Sequence, residues 1–106
     1  MRVLLDEQLP LDLSVELSGH SVETVVSRGW AGIKNGELPA RMRGQYDVLV
    51  PMDRGIEFQQ RIGALPFGIV VVRARSNRMQ DLGPLVSSII AALDAIKPGL
   101  VRRVGA

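Results

Sequence analysis

The sequence predicts an α/β domain built on a mostly parallel sheet, and three observations carry that expectation. Short β-branched runs alternate along the chain with stretches of helical spacing. The run Phe67–Val72 is apolar throughout, as a strand buried on both faces requires. No repeat, low-complexity tract or linker divides the 106 residues, so residues 1–106 are read as one domain.

Each element has its own warrant. Arg2–Leu5 is a short apolar strand stopped by Asp6-Glu7. A helix follows: Pro10 suits its first turn, Leu9, Leu13 and Leu17 recur every four residues, and Gly19 fits a left-handed stop. Ser21–Val26 is expected to be a second strand with Val22, Thr24 and Val26 alternating against Glu23. Ser27–Asn35 forms a loop around Gly29, Trp30 and Gly32, and a short helix is expected from Gly36 to about Arg43. Asp47–Val50 supplies a third strand, ending at Pro51-Met52-Asp53, and Gly55–Ile62 a further short helix. Phe67–Val72 is the fourth strand. In the last helix, started by Pro84, residues Leu85, Val86, Ile89, Ile90, Leu93 and Ile96 trace one apolar face. Pro98-Gly99 stops it, and Leu100–Val104 adds an edge strand. The expected sum is a three-layer α/β/α sandwich with about five strands.

Composition narrows the chemistry. Hydrophobic residues make up 46% and charged residues 23%, an ordinary globular balance. There is no cysteine and a single histidine, which excludes disulfides, thiolate chemistry and multi-histidine zinc sites. Apolar runs such as Ile69–Val72 fall far short of the roughly 20 residues of a membrane span. Asp6 interrupts any signal-peptide core, so the expectation is a soluble, cytoplasmic chain without membrane contact. The net charge of +2 implies no partner by itself. Arginine, however, supplies most of the basic residues, and Arg73, Arg75 and Arg78 fall close together. Its planar fork suits phosphate, although solvation at the surface would explain the same residues.

In an open parallel sheet, ligands bind at the carboxyl ends of the strands, near the point where strand order reverses. Asp6 after the first strand and Asp53 after the third occupy that kind of position. Were those strands neighbours, about 4.8 Å apart, the two carboxylates could share one cation. Glu7 adjoins Asp6, and Glu37 opens a helix that could reach the same edge. Oxygen ligands of this hard type favour Mg2+ or Mn2+. Each acid also has a purely structural role open to it. Asp6 could cap the first helix, Asp53 the one after it, and Glu7 and Glu37 could complement helix starts.

The segment Val3-Leu4-Leu5-Asp6-Glu7-Gln8-Leu9-Pro10 resembles the opening of small stand-alone PIN-like proteins related to VapC-type toxins. Gly29-Trp30-Ala31-Gly32-Ile33-Lys34-Asn35-Gly36-Glu37-Leu38 is similar to that family's central segment. Asp53-Arg54 with Gln59-Gln60 resembles its second aspartate region, and Arg73–Arg78 the stretch after its fourth strand. The resemblance implies a PIN-like fold and a metal-dependent endoribonuclease, commonly the toxin of a toxin–antitoxin pair. It implies Asp6 and Asp53 as main metal ligands, Glu37 as the acid from the middle helix, Glu7 as a supporting acid, and Mg2+ or Mn2+ as the cofactor. The implied partners are an RNA substrate, a cognate antitoxin and a second copy in a homodimer. Lys34, Arg54, Arg73 and Arg75 are the candidates for holding RNA phosphates. Three departures stand out: Gln8 replaces the usual asparagine, Met52 stands where threonine is common near the aspartate, and Ser76-Asn77 occupies a region that often carries another acid.

Two other readings compete. One keeps the fold but drops catalysis, leaving an RNA- or protein-binding module. The other is a phosphoacceptor receiver domain, matched superficially by Asp6-Glu7, Asp53 and Lys97-Pro98. Trp30 could stack on an unpaired base or pack the loop against the core. His20, beyond the first helix, is assigned no catalytic part.

Overall fold

The computed structural model describes residues 1–33, 37–52, 63 and 65–105. Five strands are present among the described residues: β1 (Arg2–Leu5), β2 (Ser21–Thr24), β3 (Val48–Val50), β4 (Gly68–Val72) and β5 (Val101–Val104). Among the described residues, the helices are α1 (Leu11–Glu16), α2 (Leu38–Met42), α3 (Met79–Leu82) and α4 (Val86–Ala95), with a 3-10 turn, Gly83–Leu85, joining the last two. All four strand pairings are parallel, in the order β2-β1-β3-β4-β5. The fold is therefore α/β, as the alternating pattern predicts.

Alternate residues of the strands feed two separate cores. Val3, Leu5, Val48, Val50, Val70 and Val72 face the side covered by Leu13 of α1, Leu82 of α3 and Ile89 and Leu93 of α4. Leu4, Leu49, Ile69 and Val71 face the other side, against Leu38 and Met42 of α2, with Tyr46 and Phe67. Apolar packing on both faces explains why the strands read as continuous β-branched runs, and it is compatible with the three-layer sandwich expected. Among the described residues, no helix is long and apolar enough to cross a membrane.

Several expected boundaries move, each for a local reason. β2 stops at Thr24 rather than Val26. There the Thr24 and Ser27 side chains exchange hydrogen bonds with each other's backbone N–H groups, at 2.8 and 3.1 Å. That turn breaks the alternation, so Val25 is buried and Val26 is 58% exposed. Pro84 does not start the last helix; it sits in the 3-10 turn, and the helical segment begins five residues earlier at Met79. Proline fits there because the first positions of a helical turn need no N–H partner. β5 follows Gly99, whose φ of +79° turns the chain after α4 back onto the sheet. The helix expected over Gly55–Ile62 lies outside the described residues.

The register of β1 against β3 is fixed at its start by a pair 45 residues apart. The backbone N–H of Arg2 donates to Asp47 Oδ2 at 2.7 Å, and its guanidinium donates to Asp47 Oδ1 at 3.2 Å. The same guanidinium donates to the Gly44 carbonyl at 2.9 Å. This double engagement, a hydrogen bond above all, holds the Asp47 carboxyl below the usual carboxylate range. Leu5 then lies opposite Val50, and the Asp6 N–H donates to the Val50 carbonyl at 3.0 Å.

Candidate functional site

The strand order locates the site before any side chain is considered. The chain steps outward from β1 to β2, returns to β3 on the other side of β1, and then steps outward through β4 and β5. The order therefore reverses between β1 and β3, and the crevice at their carboxyl ends is where such a sheet accepts ligands. Among the described residues, that edge of the sheet is reached by the turn after Leu5, residues 25–33, Pro51 and Met52, the Arg73–Arg78 stretch, and Gly105.

Asp6 stands at the crevice, half-buried, directly after β1. It does not cap α1, whose N-cap position is Pro10. Its Oδ1 accepts the Glu7 N–H at 2.9 Å, while its carbonyl accepts the Leu9 N–H at 3.0 Å. The carboxylate is thus held on a tight turn at a strand end. Glu7 is exposed, and its Oε2 accepts the Gly32 N–H at 3.3 Å, tying the β1 turn to the loop after β2. Gly32 has φ +84°, a backbone state that L side chains seldom adopt. Glu37 occupies the N-cap position of α2, exposed and with no capping hydrogen bond from its side chain. Asp53 lies outside the described residues. The chain leading to it is anchored nonetheless, since Met52 bridges Val72 and the Pro51 carbonyl accepts the Val72 N–H at 2.9 Å.

Among the described residues, no group of three or more His, Asp or Glu side chains converges as a metal site would require. Asp6 and Glu7 are brought together on one turn. Glu37 lies at the start of α2 and is not brought into contact with them by any described interaction.

Arg73 and Arg75 are exposed on the segment after β4, at the same edge. Lys34 and Arg54 lie outside the described residues. Ser76 and Asn77, which stand where an acid is often found in the family resembled, are structural here. The Ser76 hydroxyl donates to Asp81 at 2.6 Å and accepts the Arg78 N–H at 3.1 Å, closing the turn into α3. Asn77 Nδ2 donates to the Gln8 carbonyl at 2.9 Å, linking the loops after β1 and β4 across the end of β3. That link was hidden in the sequence, because it joins residues 69 apart and uses a backbone acceptor.

Trp30 is half-buried against the second core and meets Tyr46 edge-on, with centroids 6.1 Å apart. The Arg28 guanidinium lies 4.5 Å from the indole centroid, a cation–π contact. Packing of the loop is thus the role the structure bears out, with one ring face engaged by arginine. Tyr46 donates to Glu23 at 3.1 Å, and burial with this acidic partner raises its phenol above the ordinary value. His20 lies at the opposite edge, before β2, where Nε2 is 3.0 Å from Asp94 Oδ1.

No protein-family model, curated protein or solved structure matches the chain.

Proposed function

We propose that the protein is a PIN-like, metal-dependent endoribonuclease, acting as the toxin of a toxin–antitoxin pair. The observation that carries the reading is the reversal of strand order between β1 and β3, with Asp6 on the β1 turn beside the segment that leads to Asp53. Among the described residues, the crevice offers the carboxylates of Asp6 and Glu7, and hard oxygen donors of that kind fit Mg2+ or Mn2+. Asp6, Asp53 and Glu37 would hold the ion, with Glu7 in support. Bound there, such an ion lowers the pKa of water and neutralises charge developing on a phosphodiester.

The chain's own residues supply binding and placement. Arg73 and Arg75, with Lys34 and Arg54, hold flanking phosphates of a single strand through charge-assisted hydrogen bonds. The Asn77–Gln8 link keeps the two loops that flank the crevice at a fixed spacing. An antitoxin with acidic residues would compete for the same arginines, and a second copy of the chain is the further partner proposed.

Purified protein incubated with single-stranded and structured RNA tests this. Cleavage in Mn2+, abolished by EDTA and reduced at least a hundredfold in both Asp6→Asn and Asp53→Asn, is the expected result; removing groups central to catalysis costs about this much or more. Cleavage indifferent to both substitutions contradicts it. Binding of RNA without cleavage would instead favour the non-catalytic module.

The strand order also favours a second reading, because β2-β1-β3-β4-β5 is the order of receiver domains. In a receiver, a lysine after the fifth strand meets the phosphoacceptor. Here Lys97 lies between α4 and β5, at the edge of the sheet opposite Asp6. A gain of one phosphoryl group at Asp53 on exposure to acetyl phosphate would support the receiver reading over the nuclease.

A further inference from the structure

α4 and β5 leave an open groove of about 390 Å3 between them, with Ser88, Ala91 and Arg102 exposed along it. Ser88, Ala91 and Ala92 form its helical wall, and Arg102, Arg103 and Val104 form the strand wall. The register places Arg102 opposite Val70, and Val70 belongs to the core that includes α4. Arg102 therefore stands on the helix side of the sheet, facing side chains too small to fill the space. None of the lining residues is acidic. The single acid of α4, Asp94, is engaged with His20 at 3.0 Å.

A groove with arginine on one wall, a hydroxyl on the other and no acidic side chain among its described lining residues favours an oxyanion. Guanidinium and hydroxyl together match a tetrahedral phosphate: the arginine offers paired N–H donors and the serine a rotatable O–H. The groove also runs to the sheet edge that carries Asp6. At its end Gly105 has φ +99°, and a Cβ there would collide with the Arg73 carbonyl oxygen. Glycine lets the end of β5 lie directly on the residue that follows β4.

We infer that the α4–β5 groove binds a phosphate ester, with Arg102 and Ser88 as its principal donors. The ester is either a free nucleotide or one phosphodiester of a nucleic-acid strand. The inference goes beyond the nuclease reading and does not depend on cleavage, since no carboxylate of the crevice takes part.

The test is an amide chemical-shift titration of the full chain with adenosine monophosphate and, separately, with a short oligouridylate, against sodium chloride at matched ionic strength. Saturable shifts clustered at Ser88, Ala91 and residues 102–105 are expected. Response to the nucleotide identifies a free ester as sufficient, whereas response to the oligonucleotide alone identifies a strand. Arg102→Gln should weaken binding about tenfold or more, as loss of a charge-assisted pair does. For the strand it should also reduce the salt slope by about 0.7. Ser88→Ala should weaken binding less, and Asp6→Asn should leave these shifts unchanged. Shifts equal to those in chloride, shifts absent from the groove, or shifts indifferent to Arg102→Gln overturn the inference. Loss of the groove shifts in Asp6→Asn would assign them to the crevice, and overturns it as well.

Discussion

Asp47 shows how much one side chain can decide. It accepts from both the backbone and the guanidinium of Arg2 where β1 and β3 begin, and so fixes which residues stand opposite each other at their far ends. Its carboxyl is lowered mainly by those hydrogen bonds, so the folded state favours the ionised form. The contribution is present above the unfolded carboxylate value, about 3.9, and is lost as pH falls through the lowered folded value. Because the side chain is 42% exposed, solvent screens the pair, and the contribution is held to about 0.5–1 kcal/mol. Asp47→Asn should lower stability by that order at pH 7 in denaturant titration. The difference from the unsubstituted protein should shrink below about pH 4, as the wild-type carboxyl gains its proton. A difference that grows towards acid pH would contradict this assignment.

At the scale of elements, β4 depends on Gly68. A Cβ there would stand 2.5 Å from Ile96 Cγ1 and 2.9 Å from the Lys97 carbonyl, so the end of α4 closes directly over the strand. The second of these neighbours is backbone and cannot rotate away. Gly68→Ala should therefore destabilise by about 1–3 kcal/mol, an overpacking cost, seen as a lower denaturation midpoint with unchanged slope. A neutral effect would mean that α4 ends elsewhere. Elements of this kind were largely legible in the sequence. The fourth strand and the last helix follow from apolar runs and from spacing of three and four, which are local signals. What escaped is non-local or depends on turn chemistry. The Arg2–Asp47 pair joins residues 45 apart, and nothing near either residue announces the other. The Thr24–Ser27 turn moved the buried position from Val26 to Val25, because a side-chain hydrogen bond overrode the period-two pattern. Pro84 misled for a related reason: proline is permitted at any first turn, and here that turn lies within a longer helical segment.

At the scale of the whole molecule, the candidate site follows from topology more than from any motif. Asp6 was legible as the acid closing a buried strand, and the strand order gives it meaning by setting β1 beside β3 at the reversal. The arginines after β4 were legible as a cluster; Arg102, the groove arginine on β5, was not, because two adjacent charges on an edge strand look like ordinary surface. The proposed function requires that the carboxylates following β1 and β3 jointly hold a divalent ion. Mn2+ added to the isotope-labelled protein tests it directly, because a paramagnetic ion broadens the amide signals nearest to it. Saturable broadening centred on Asp6, Glu7, Met52 and Asp53, lost on substituting either Asp6 or Asp53 by asparagine, is expected. Broadening elsewhere, or broadening that survives both substitutions, would contradict it.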